Sequence, residues 1–256
     1  MEADTYHFVG GRHHTYWWQR ARRELVADLL RRFKPPPHCR WLDLGCGPGG
    51  SLIVSTRFEP AFVAAVDISP IAISQASANA PFARIVCADL SKSLPFADDS
   101  FDVVSILSVL YHAWINNEHD VLTEVRRVLR PGGLAVFTEP AFPLLRREMD
   151  RIGMARKRYR LREFACLCRA AGLHVLFASY FTSFGFPLIL AAKAARRLHA
   201  LWSSETVSAA MDMKPLKPTI NELMYRIARI EGRAISWGVP IPFGTTLVCV
   251  VEKRSS

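Results

Sequence analysis

"WLDLGCGPGG", residues 41–50, is the stretch that decides the fold. With Arg40 ahead of it, the run to Leu44 is short and mostly apolar, as a strand buried on both faces requires. Gly45, Gly47 and Gly50 then follow in G-x-G-x-x-G spacing. Glycines placed there let a ligand come close to backbone at the carboxyl end of the strand. A dinucleotide suits that spacing, and so does a nucleoside with no phosphate; the loop alone does not choose between them.

Working outward, short apolar runs alternate with helical patterns. Residues 61–69, 84–90 and 101–110 read as further strands, followed by 134–140, 174–181 and 245–253. Residues 15–33 read as an Arg-rich helix ended by three prolines, since proline cannot continue a helix. Residues 119–133 place Val121, Leu122, Val125, Val128 and Leu129 on one face, with Pro131-Gly132-Gly133 as the stop. Residues 161–173 form another helix, closed by Gly172. Strands alternating with helices predict a parallel sheet covered on both faces. The rhythm breaks over 182–237, which reads as a helical insertion between the last two strands.

Acidic residues mark the ends of the first three strands. Asp43 precedes the glycines, Asp67 ends the second strand and Asp89 ends the third. Asp67 is placed to accept from a ribose diol, Asp89 from an adenine amine, and Asp43 from a cationic amino group. Their other reading is capping and turn formation. Together they call for an adenosine with a cationic tail, which describes S-adenosylmethionine better than a dinucleotide.

"WLDLGCGPGG", "VDISPIAISQA", "CADLSKSLPFADDSFDVVSILSVLYH" and "EVRRVLRPGGLAVFTEP" resemble the successive motifs of class I S-adenosylmethionine-dependent methyltransferases of the type-11 group. The resemblance covers about 40–140 strongly. It implies a doubly wound, seven-stranded, mostly parallel Rossmann-like α/β sheet with helical caps. As one domain, this divides into a cap over 1–34, a cofactor-binding core over 35–181, an insertion over 182–240 and a last strand within 241–256. It also implies a cofactor set of Asp43, Gly45, Cys46, Gly47, Asp67, Ile68, Asp89, Leu90, Leu107 and Ser108. The activity implied is methylation of a small-molecule acceptor at oxygen or nitrogen.

The acceptor side is less specific. His112 follows the fourth strand and is the candidate general base for a hydroxyl; its other reading is to orient the next helix. Tyr111 stands where such sequences commonly carry an acidic residue, and Glu139 ends the fifth strand. Tyr16, Trp17 and Arg20 belong to a segment that reads either as a lid or as a staple onto the sheet. Arg158 and Tyr159 follow a basic run suited to a phosphate or carboxylate, or to plain solvation. The resembling branch usually carries histidines at the positions of Met149 and Ala155, which puts an inherited His-based mechanism in doubt. Residues 184–202 put Leu190, Ala194, Leu198, Leu201 and Trp202 on one helical side and Lys193, Arg196 and Arg197 on another. That pattern fits a pocket cap, or contact with a membrane interface.

Composition bounds the alternatives. The 256 residues carry a net charge of +10 and are half apolar. Such a charge favours anionic partners. No nucleic-acid recognition module accompanies it, and the Asn/Asp-Pro-Pro-aromatic signature of adenine-amine methylases is absent after the fourth strand, so no nucleic-acid partner is expected. The six cysteines show no zinc spacing, so no metal is expected, and scattered thiols suit a cytoplasmic chain. Neither a signal peptide nor an 18-residue apolar span is visible. The rival readings are a methylase of a lipid-linked or saccharide intermediate, a nucleic-acid-binding protein, and a non-catalytic cofactor-binding member. Oligomeric state is not legible.

Overall fold

The buried run of the opening motif is β1 (Arg40–Leu44), with every residue from Trp41 onward out of solvent. The structure, a computed structural model, describes residues 15–202 and 216–254, without the side chains of 148–149 and 196–202. Parts of the expected caps (1–14 and 203–215), and the side chains of Met149, Arg196, Arg197, Leu198, Leu201 and Trp202, therefore lie outside the described residues.

β1 pairs in parallel with β2 (Phe62–Asp67) on one side and β4 (Phe101–Leu107) on the other. With β3 (Arg84–Cys87), β5 (Leu129–Pro140), β6 (His174–Phe181) and β7 (Thr246–Glu252) the sheet order is β3-β2-β1-β4-β5-β7-β6. β7 alone runs antiparallel to its neighbours β5 and β6. The order reverses at β1, and the carboxyl ends of β1 and β4 flank the crevice where ligands of such sheets bind.

Strand alternation sends Leu42, Leu44, Val104 and Ile106 to one face, and Trp41, Val103 and Leu107 to the other. The first face is covered by α3 (Glu118–Val128) and α5 (Leu161–Ala170). The second is covered by α1 (Trp17–Phe33), α2 (Pro70–Asn79) and α7 (Pro218–Ser236). Fully buried Leu25, Leu29 and Leu30 of α1 each contribute about 1.5–3 kcal/mol by leaving water.

α3 is shorter than its sequence pattern. Asn117 caps it by accepting from the His119 N–H, and Arg126 and Arg127 sit at its negative end. It stops at Val128, not at 133, because Leu129 pairs with Phe101 as the first residue of β5. Pro131-Gly132-Gly133 then forms an irregularity inside that strand, with Gly132 at φ +78°.

α7 packs along α1. A Cβ at Gly232 would lie 3.7 Å from Leu25, so the two backbones are close. Arg20 pairs with Glu222 at 2.8 Å and lies 3.8 Å over the Tyr225 ring, while Arg229 pairs with Asp28. Asn221 accepts from the Trp17 N–H at 2.9 Å. α6 (Gly185–Trp202) follows β6, and Lys193 donates from it to the carbonyls of Leu144 and Arg146 at 2.7 and 3.0 Å. Between β5 and α5 lie a 3₁₀ turn (Pro143–Leu145) and the short α4 (Glu148–Ile152).

Candidate active site

The turn after β1 is fixed by backbone bonds: the N–H groups of Gly45 and Cys46 both donate to the Val66 carbonyl, at 2.8 and 3.0 Å. Gly45 has φ +71°, and a Cβ there would meet Val109 at 2.5 Å, so only glycine fits. Gly47, at φ +53°, would direct a Cβ into open space. The third glycine in the fingerprint, Gly50, lines the cavity, but the close approach to α2 is made by Gly49 at φ +88°, where an added Cβ would lie 3.1 Å from the Ala76 Cα.

Beyond these strand ends lies a cavity of about 620 Å³. That is within the ~300–1,000 Å³ of small-molecule sites. Its floor includes Gly45, Cys46, Gly47, Asp67, Ile68 and Leu107, continuing to Asp89, Leu90 and Ser108. Asp67 accepts from the Gly47 N–H through Oδ2 at 2.8 Å and from the Ser69 N–H through Oδ1 at 2.9 Å. Those bonds aim the carboxylate, and each oxygen keeps acceptor capacity for a diol. Asp89 stands two residues past the end of β3, not on it, and accepts from the Ser91 N–H at 2.9 Å.

Arg22, which continues the lid-or-staple segment of Tyr16–Arg20 but is not singled out as a site residue by the sequence, is a cation of this cavity. It lines the cavity from α1 at 5% exposure. It donates to Ser108 Oγ at 2.9 Å, to the Leu107 carbonyl at 3.3 Å and to Gln19 at 2.7 Å, and its Nε is buried with no partner. Burial pushes its pKa down to about 10, against the pull of Asp43. Ser108 itself sits at φ +66°, a strained geometry for a non-glycine residue, held by its N–H bond to Thr138 at 2.6 Å. The orphaned Arg22 Nε, the open space at Gly47 and the poised Asp67 fit an adenosine whose tail ends in a carboxylate.

Four residues expected at the site do not line this cavity. Asp43, 1% exposed, accepts from the hydroxyls of Ser51 and Ser105, and burial raises its pKa to about 6. Glu139 is fully buried and brackets the turn after β4, accepting from the N–H groups of Val109, Leu110 and Tyr111 at 2.9–3.3 Å. Burial pushes its carboxyl up to about 8. Tyr159 is a core residue that donates to the Leu110 carbonyl at 2.9 Å or to Glu118 at 3.0 Å. Arg20 belongs to the contact between α1 and α7.

The other expected acceptor residues do border the cavity: Tyr16, Trp17, Tyr111, His112 and Arg158. His112 is 7% exposed and stacks between Tyr111 and Trp114, with ring centroids 4.0 and 4.1 Å away. Its Nδ1 lies 3.1 Å from the Gly153 carbonyl, so Nδ1 carries the proton. Burial lowers its pKa to about 4, so the ring is neutral at pH 7. Arg158 forms a two-pronged pair with Asp150, at 2.8 and 3.1 Å. Leu188 and Ile189 of α6 and Met224 of α7 complete the roof. Among the described residues no His/Cys/Asp/Glu cluster suits a metal ion.

Fold and cavity thus define a doubly wound α/β protein with a small-molecule-sized cavity at the switch point of its sheet. Residues 42–137 match the family described as "Methyltransferase domain". The chain is 38% identical over 122 residues to a malonyl-[acyl-carrier protein] O-methyltransferase of Halorhodospira halophila, covering 45% of this chain and 40% of that one. It is 36% identical over 126 residues to 24-methylenesterol C-methyltransferase 2 of Oryza sativa subsp. japonica, covering 47% and 33%. The matches span less than half the length of these two relatives. An S-adenosylmethionine dependent methyltransferase from Mesorhizobium loti shares the fold at a TM-score of 0.57 and 17% identity, over 88% of this chain and 95% of that one. The matched segment is a class I, type-11 S-adenosylmethionine-dependent methyltransferase domain.

Proposed function

We propose that the whole chain transfers a methyl group from S-adenosylmethionine to a small-molecule acceptor enclosed between the sheet and the helical cap. The observation that carries this is the continuity of one cavity, which runs from Gly45, Gly47 and Asp67 to Leu188, Ile189 and Met224. In this reading Asp67 and Ile68 hold the ribose, Asp89 and Leu90 flank the adenine, and Arg22 takes the methionine carboxylate. The bound cofactor supplies an already activated methyl group. The protein's work is then to orient the acceptor and keep water out. Trp17, Trp18 and the α6 residues do the second. His112, neutral with Nε2 as the free acceptor atom, is positioned to take a proton from a hydroxyl, though burial makes it a weak base.

A second reading, an acceptor presented at a membrane surface, rests on the exposure of Leu144 and Leu188 at 63% and 60% beside Lys193. Lys193 favours the first reading, because it ties α6 to Leu144 and Arg146, just ahead of the cavity-lining Arg147. Incubating the protein with methyl-labelled cofactor and fractionated small metabolites tests the proposal. Label should pass to a water-soluble acceptor; transfer to extracted lipid only would support the second reading.

A further inference from the structure

The cavity holds a cation with no carboxylate partner among the described residues. Arg147 lines it, next to Asp150, Ile152 and Gly153. Its Nε is buried and makes no hydrogen bond, and among the described residues no carboxylate pairs with its guanidinium. Asp150 is the nearby acid, but both its oxygens are committed. Oδ1 and Oδ2 receive the Arg158 fork, and Oδ2 also accepts from the Arg147 backbone N–H at 2.6 Å. Asp150 therefore fixes the backbone that carries Arg147 while Arg158 cancels its charge. From the other side, Lys193 holds the carbonyls of Leu144 and Arg146. The backbone bearing Arg147 is thus held on both flanks, and a preorganised segment lowers the cost of ordering a ligand.

A buried donor with no partner, on a charge with no counterion, points to an anion supplied from outside the chain. The lining also includes the apolar side chains of Trp114, Ile152, Leu188 and Ile189, with the hydroxyls of Thr182, Thr245 and Thr246 as its smaller polar groups. Arg158 also lines a second cavity of about 290 Å³, with Arg146, Arg156, Lys157 and Glu163. We propose that Arg147 is the specificity-determining residue of the acceptor site and binds a carboxylate or phosphate carried by an otherwise apolar small molecule. This rests on the methyltransferase reading above, and it removes the need for a strong base where the oxyanion is itself the nucleophile, because such a group is already ionised at pH 7.

The test is calorimetry on the protein saturated with S-adenosylhomocysteine, so that the Arg22 subsite is filled. Succinate and inorganic phosphate are the probes, and sodium chloride at equal ionic strength is the control. Either probe should bind at one site, with succinate favoured for a carboxylate acceptor and phosphate for a phosphorylated one. Arg147→Gln should weaken that binding at least tenfold with S-adenosylhomocysteine affinity unchanged. Arg147→Lys, which keeps the charge and loses the fork, should fall between. Absence of binding by both probes above the chloride control, or equal binding by the Gln variant, overturns the proposal. A protein that binds neither probe nor S-adenosylhomocysteine would instead sink the methyltransferase reading beneath it.

Discussion

Asp67 and Arg22 line one cavity, and each can be removed separately. Asp67→Ala deletes the ribose acceptor and also releases the Gly47 and Ser69 N–H groups. Charge-assisted bonds contribute about 1.5–3 kcal/mol each, so cofactor affinity should drop at least tenfold in a titration, with secondary structure retained. His112 gives a sharper discrimination. If it removes a proton from the acceptor, His112→Ala should lower kcat by roughly 10²–10⁴. If the acceptor arrives as an anion, the loss should stay below about tenfold; under either reading burial, which lowers the ring to about 4, leaves no His inflection in kcat between pH 5 and 8. The residue-level site was only partly legible in the sequence. Gly45, Gly47, Asp67 and Asp89 were visible because motif spacing places them at strand ends. Arg22 was hidden because it reaches Ser108 across 86 positions of chain, and Arg147 because its isolation depends on which way Asp150 turns. Glu139 was misread as a pocket group: at a strand end a carboxylate can serve the backbone of the next turn as readily as a ligand.

At the scale of elements, the crossing between β6 and β7 is the tightest constraint. A Cβ on Gly244 would come within 2.4 Å of the Phe181 carbonyl oxygen, which is backbone and cannot yield cheaply. Gly244→Ala should cost about 1–3 kcal/mol and lower Tm by several degrees in a thermal melt, while Gly232→Ala, with 3.7 Å of room, should be nearly neutral. The roof is tested by Leu188→Ala with Ile189→Ala, which should raise acceptor KM and leave cofactor affinity alone; salt-sensitive binding of the intact protein to anionic vesicles would favour the membrane reading. Short apolar runs located the strands well where one signal acted alone: residues 174–181 form β6 as expected. Periodicity overran at 119–133, where helical spacing continued past Val128 but sheet pairing with Phe101 captured Leu129. The antiparallel course of β7 was not legible, because strand direction is set by the path of the α6–α7 insertion and not by the strand's own residues.

The whole molecule carries buried acids whose titration should appear in its stability. Glu139, raised to about 8, keeps its proton in the folded protein where the unfolded chain has lost it. Folding therefore binds protons, and that contribution is lost as pH rises through 8. Asp43, raised to about 6, acts in the same direction, while His112, lowered to about 4, opposes it below pH 6.5. Between pH 6.5 and 8 Glu139 dominates these three, so denaturant midpoints should decline over that window and level off above it. Glu139→Gln should flatten the decline; an unchanged slope would mean the carboxyl is ionised at neutral pH by its three N–H donors.

The central claim is that the strand ends, the glycine turn and Arg22 together form an S-adenosylmethionine site. Calorimetric titration of the intact chain with S-adenosylhomocysteine and, separately, with NAD tests it most directly. The titration should show one S-adenosylhomocysteine site per chain, weakened at least tenfold by Arg22→Gln as well as by Asp67→Ala, and no heat from NAD beyond dilution. Saturable NAD binding with a silent S-adenosylhomocysteine titration would contradict it.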